Sequence, residues 1–235
     1  MKRLRGVKAI IFDLDNTLVQ SHIDYVQLKQ TVLKELADAG VPSRFISVDE
    51  SVVENFIRGK AYLQENSSAA HQKEFNRRLS EALTEIEMER VDQVREIDGA
   101  LSLVNSLKEK GFEVGILTRG SRDYALAVLG RTGFDGHVVH LVCRDDFPME
   151  EAKPNPLAMD RIAEKLQCLS KECLFIGDHP MDFECAKASG ALFVGVLTGS
   201  TNKERWSQVG CKAVIDSIAD LPQWLKSEMR LDEER

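Results

Sequence analysis

The chain lacks any cysteine pattern that could staple a fold or hold a zinc ion. Its five cysteines, Cys143, Cys168, Cys173, Cys185 and Cys211, are odd in number, and no two have Cys-x-x-Cys spacing. That argues against a disulfide framework and fits a reducing compartment. A basic excess is also missing: 31 Lys and Arg stand against 38 Asp and Glu, a formal net charge of −7. Nucleic-acid binders ordinarily carry a basic excess or stripe, so no nucleic-acid partner is expected. The small basic groups, Arg58 with Lys60 and Lys73 with Arg77 and Arg78, read as solvated helix faces. No apolar run is long enough to span a bilayer. The opening MKRLRGVKAIIFDLD begins like the charged part of a signal peptide, but Asp13 interrupts its apolar run too early for a signal core. The expectation is a cytoplasmic protein with no membrane partner. Internal repeats and low-complexity segments are absent too.

What is present is a succession of short apolar runs at residues 7–12, 114–117, 138–142, 174–176, 192–197 and 214–215. They are rich in Val, Ile and Phe and lack polar alternation, which marks strands buried on both faces of a parallel sheet. Helical patterns separate most of them. Asp98 is placed to cap a helix carrying Leu101, Val104 and Leu107 that ends at Gly111, and residues 122–129, 156–166 and 181–189 also read as helices. Alternating strands and helices predict a doubly wound α/β sheet. The charged tail, 226–235, is expected to fray.

Between Thr17 and Asp98 the alternation stops, and no strand is evident there. Tyr25, Leu28, Val32 and Leu36 have helical spacing, ended by Gly40 and Pro42. Val52, Val53, Phe56 and Ile57 begin a second helix, and a third runs over about 70–94 with Phe75, Leu79, Leu83 and Ile86 on one face. The predicted organisation is a core of residues 1–17 and 98–235, interrupted by an all-helical domain over 18–97. An insertion of that size after the C-terminal end of a strand usually covers or shapes a site.

Chemistry-bearing residues gather at the expected strand ends. Asp13 and Asp15 follow the first strand, two apart and so on one side of an extended segment. Two carboxylates held there repel each other unless a proton or cation intervenes. Thr118, Arg119 and Gly120 follow the second strand. Lys153 lies between prolines in Ala152-Lys153-Pro154-Asn155-Pro156, and Asp178 and Asp182 follow the fourth strand. Singly, each reads as a cap, a turn or solvent decoration; together they make a site. Four acids suit Mg²⁺, a hard cation that takes oxygen ligands. Thr118 and Lys153 can donate to phosphoryl oxygens. One carboxylate can attack phosphorus, and its neighbour can protonate the leaving oxygen and then deprotonate water.

On the segments IIFDLDNTLV, ILTRG, AKPNP and FIGDHPMDFECAKASG, in this order, the chain resembles the haloacid dehalogenase-like superfamily in its phosphatase branch, over nearly its whole length. The resemblance implies a Rossmann-like core with strand order 5-4-1-2-3, counted along the core strands. It implies Asp13 as nucleophile and Asp15 as general acid/base. Mg²⁺ would be held by Asp13, the Asp15 backbone carbonyl and Asp178, with Asp182 close by, and phosphate by Thr118 and Lys153. The helical insertion resembles the cap of members similar to phosphoglycolate phosphatase. Arg119 could reach a substrate anion. Asn16 stands where many members have Gly, as the next-best residue for a left-handed backbone, and His179 stands where Ser or Thr is common and reads as a loop residue. The presence of Asp15 argues against dehalogenation. The expected activity is hydrolysis of a phosphomonoester of a small metabolite. A sugar phosphomutase on the same scaffold is the nearest alternative. A phospho-receiver has similar residues but about half the length and no helical insertion.

Overall fold

The computed structural model describes residues 6–138 and 140–233. They fall into two compact units, one of the residues up to Ser21 together with those from Gln93 onward, the other His22–Asp92.

Along the chain, β1 (Ala9–Phe12) and β2 (Val19–Gln20) lead into the helical unit, α1 (Tyr25–Asp38), α2 (Val52–Asn66) and α3 (Ala69–Met88). The chain returns through β3 (Arg95–Glu96), α4 (Ala100–Glu109), β4 (Glu113–Leu117), α5 (Arg122–Thr132) and β5 (His140–Val142). It then runs α6 (Pro156–Lys165), β6 (Cys173–Gly177), α7 (Pro180–Ser189), β7 (Leu192–Val196), α8 (Lys203–Val209), β8 (Val214–Ile215) and α9 (Leu221–Glu233).

Six strands form one parallel sheet in the order β5-β4-β1-β6-β7-β8. Its first five are the expected order read from the other edge, and β8 adds a sixth strand. β1 is central, with Ile10 paired to Val114 on one side and to Leu174 on the other. All four of its side chains are fully buried, which is why the run shows no polar alternation. From β1 the chain fills one side of the sheet through α4 and α5, then returns to the other side through α6 and α7. Because parallel crossovers are right-handed, that reversal puts the two pairs of helices on opposite faces. One face packs Ile11 and Phe175 against Met159 and Ile162 of α6 and Cys185 of α7. At the far edge, Trp206 of α8 is fully buried, with its ring 5.6 Å from that of Phe193.

In the helical unit each helix has a side-chain cap. Asp24 accepts from the amides of Val26 and Gln27, Ser51 and Glu54 form a reciprocal capping box, and Ser68 accepts from His71. Val32 and Leu36 of α1, Phe56 and Leu63 of α2, and Phe75, Leu79, Leu83 and Ile86 of α3 are buried in its core. Burying each such side chain contributes about 1.5–3 kcal/mol.

Several expectations are corrected. Two short strands, β2 and β3, pair antiparallel within the stretch where none was evident; at two residues each they are too short to show a period. α3 ends at Met88, short of 94, and a 3₁₀ turn follows at Val91–Gln93. Asp98 is not the cap of α4: Gly99 is, at φ 82°, and the Glu96 carboxylate accepts from the Leu101 amide at 2.8 Å. Of the tail expected to fray, 226–233 is helical, as the last part of α9, and 234–235 lie outside the described residues. Tyr25 and Ile57, counted on apolar stripes, are exposed. Lys60, read as part of a solvated face, is buried, with its ammonium donating to the Asn76 side chain at 2.8 Å. In the run 138–142, Val139 lies outside the described residues, as do the basic residues 1–5. Among the described residues, no helix is long and apolar enough to cross a membrane.

Candidate active site

The sheet reverses its direction of growth beside β1, and loops at the C-terminal strand ends of such a switch point form a crevice. Asp13 continues β1, its amide donating to the Ile176 carbonyl at 2.8 Å. Thr118 continues β4, its amide donating to Val142 at 3.0 Å. Asp178 continues β6, Asp182 sits in the first turn of α7, and Lys153 arrives on the long loop from β5 to α6. Asp13, Asp15, Thr118, Lys153, Asp178 and Asp182 are all buried. Buried charges are tolerated only when paired or metal-bound.

The Lys153 ammonium lies 2.5 Å from Asp13 Oδ1 and 2.7 Å from Asp182 Oδ1. Asp13, Asp178 and Asp182 each offer a carboxylate oxygen within 4.8 Å of the others. One ammonium thus faces three buried acids. Burial pushes the Asp13 carboxyl up to about 7, Lys153 opposing and Asp182 and Asp15 adding to the rise. Burial likewise pushes Asp178 up to about 9, helped by the charges of Asp13 and Asp182. For Lys153, burial disfavours the charged form, but Asp13 and Asp182 outweigh it and hold the ammonium above its ordinary value. This excess of buried negative charge, in an all-oxygen donor set, fits a hard divalent cation. Asp178 packs so closely on Gly199 that a Cβ there would fall 1.8 Å from its Oδ2.

The other expected residues stand as follows. Asp15 is outside the carboxylate trio, and its Oδ1 accepts from the Tyr124 hydroxyl at 2.6 Å. Asn16 has φ 57°, the left-handed conformation anticipated for it, and its carbonyl accepts from the Thr198 hydroxyl at 2.5 Å. Thr118 Oγ1 accepts from the Gly120 amide at 2.9 Å, which leaves its hydroxyl proton available to a ligand. Arg119 is half-buried and donates to the backbone carbonyl of Lys153. His179, read as a loop residue, is the N-cap of α7, its Nδ1 accepting from the Met181 amide at 3.2 Å; Asp182 Oδ2 accepts in return from the His179 amide.

Three residues were not singled out in the sequence. Tyr124 looks like an ordinary core residue of α5. Arg144, buried and donating to the Arg119 carbonyl at 3.0 Å, looks like a surface residue of a charged loop. Gly199 follows β7, another strand ending at the same edge, and that position was the available signal.

A model of the haloacid dehalogenase-like hydrolases matches residues 10–196, which span every element that builds this site. The chain is 28% identical over 228 residues to a phosphoglycolate phosphatase of Rhodospirillum rubrum, covering 93% of this chain and 90% of that one. It is 23% identical over 225 residues to a pyrophosphatase of Listeria monocytogenes serotype 4a, covering 94% and 98%. Among solved structures, a predicted phosphoglycolate phosphatase from Haemophilus somnus superposes with a TM-score of 0.61 at 22% identity, over 94% of this chain and 98% of that one. A family hydrolase from Deinococcus radiodurans with bound phosphate and sodium superposes at 0.60 and 21%, over 95% and 96%. With the family model matching most of its length, the chain belongs to the haloacid dehalogenase-like hydrolases, as a phosphatase-like member.

Proposed function

We propose that this protein hydrolyses phosphomonoesters of a small metabolite through an aspartyl-phosphate on Asp13. The observation that carries the reading is Lys153, with its ammonium 2.5 Å from one carboxylate and 2.7 Å from another in a cluster of buried acids at the strand ends. Asp13, Asp178 and Asp182 would hold Mg²⁺, with the backbone carbonyl of Asp15. Bound there, Mg²⁺ supplies the positive charge that keeps the acids ionised and offsets repulsion between carboxylate and phosphate.

In the first step Asp13 attacks phosphorus, the bond to the alkoxy oxygen breaks, and Asp15 delivers a proton to that oxygen. Thr118 and Lys153 donate to the phosphoryl oxygens, where charge sits in the transition state. Arg119 supports the lysine loop through the Lys153 carbonyl and in this reading can also reach a substrate anion. In the second step Asp15, now ionised, takes a proton from water; the water attacks phosphorus, inorganic phosphate leaves and Asp13 is restored. The helical unit, His22–Asp92, serves in this reading as the substrate-selecting cap. The relatives' names, phosphoglycolate phosphatase and pyrophosphatase, make small anionic phosphates the class to screen first.

The test is release of inorganic phosphate from a panel of phosphorylated metabolites, with acid-quenched protein weighed for one added phosphate. Activity should need Mg²⁺, vanish with chelator and be absent in Asp13→Asn. Full turnover by Asp13→Asn, or by chelated protein, would reject the reading. Phosphoryl return to a sugar with no free phosphate would point to a mutase instead.

A further inference from the structure

Tyr124 lies in the first turn of α5, is fully buried, and donates its hydroxyl to Asp15 Oδ1 at 2.6 Å. The two residues are 109 apart in sequence, so this bond joins the β1 loop to the helix after β4. The ring is held from below by the backbone. Gly120 passes so close that a Cβ there would sit 2.8 Å from Tyr124 Cδ1, and Ser121, itself buried, caps the helix through the Tyr124 amide. A hydrogen bond to a carboxylate is charge-assisted and stronger than a neutral one, so a donor fixed in the core restrains where the acceptor points.

We propose that Tyr124 is a positioning residue that orients Asp15 for both proton transfers. This rests on the reading of Asp13 and Asp15 given above. Phosphoryl attack by Asp13 needs no help from Tyr124, so the two steps separate. Proton delivery to a poor leaving group and activation of water depend on where the Asp15 carboxyl points; departure of a nitrophenolate does not.

The experiment uses the full chain with Mg²⁺, comparing an alkyl phosphate with nitrophenyl phosphate. Small displacements of a catalytic group can cost about 10²-fold, so Tyr124→Phe should lower kcat for the alkyl ester about 10–100-fold with little change in KM. From nitrophenyl phosphate the first burst of nitrophenolate should keep its wild-type rate, while the aspartyl-phosphate accumulates because its hydrolysis is slowed. Added to Asp15→Asn, Tyr124→Phe should do nothing more, since residues acting as one unit are not additive. Tyr124→His, whose ring N–H can donate, should recover part of the loss, and it gives the same comparison if the Phe variant does not fold. An equal slowing of phosphoenzyme formation from both substrates, a loss that adds in full to Asp15→Asn, or no loss at all overturns the inference and leaves Tyr124 as packing. Wild-type turnover by Asp13→Asn overturns the reading of the site, and this inference falls with it.

Discussion

Asp13 and Asp178 carry protons in the metal-free chain to a pH at which exposed aspartates have long lost theirs: about 7 and about 9, against an ordinary 3.8. The unfolded chain releases those protons near its ordinary value, so between the two values the folded state binds more protons than the unfolded. What these two carboxyls contribute to the stability of the metal-free protein is therefore full below the ordinary value and is lost as pH rises through the folded values. Mg²⁺ must displace the retained protons, so the gain in melting temperature at saturating Mg²⁺ should be larger at about pH 8 than at about pH 5.5. Equal gains at both would mean the acids do not hold the ion. Asp15→Asn provides a second test at this scale. Asparagine can neither give nor take the proton, and general acid/base help is worth ~10²–10⁴-fold. The variant should lose that much with an alkyl phosphate, yet still form phosphoenzyme from nitrophenyl phosphate. Equal loss of phosphoenzyme formation with both would give Asp15 a metal-binding or structural role. The position of Gly199 after β7 is a sequence signal, but its packing on Asp178, which leaves no room for a side chain, shows only in the fold.

At the scale of elements, the strand ends and loop closures decide what the site can be. The loop before α2 shows how such closure works. Asn55 is fully buried; its oxygen accepts from the Ser47 amide at 2.7 Å, and its amide donates to the carbonyls of Ser47 at 2.8 Å and Ser51 at 2.9 Å. Asn55→Ala leaves those backbone groups without their partner, at a cost of about 1–3 kcal/mol. Urea unfolding of the variant should show that loss; a change within about 0.5 kcal/mol, ordinary for surface substitutions, would mean water replaces the side chain without penalty. The helical stripes of α1 to α3 were visible as periodicity, whereas Asn55 and Lys60 were not, because a polar residue's burial depends on partners from other turns and helices. α8 escaped notice for a different reason: at seven residues with one buried side chain, Trp206, it has no period to detect.

For the molecule as a whole, the division at His22 and Asp92 separates residues proposed to do chemistry from those proposed to choose the substrate. All of Asp13, Asp15, Thr118, Lys153, Asp178 and Asp182 lie in the sheet-containing unit. Replacing 22–92 by the helical insertion of a related hydrolase should change the order of preferred substrates and leave Mg²⁺ affinity within about threefold, since lids and caps act on specificity and water exclusion rather than on the ligands of the metal. Calorimetric titration with Mg²⁺ and the metabolite panel read the two effects separately. An unchanged preference order would remove the helical unit from substrate selection.

The order of buried runs and helical stripes determined the α/β class and the helical insertion, because burial on both faces and helical period are local signals that survive in one dimension; the sheet order came only with the family resemblance. The acids, the threonine and the lysine were legible because a parallel sheet gathers its C-terminal strand ends wherever the chain returns. Tertiary structure alone decided the rest. It set Arg119 on the Lys153 carbonyl, made His179 a helix cap and brought the Tyr124 hydroxyl to Asp15 across 109 residues. Those are pairings of polar groups far apart in sequence, and no residue type or spacing encodes a partner that only packing can deliver.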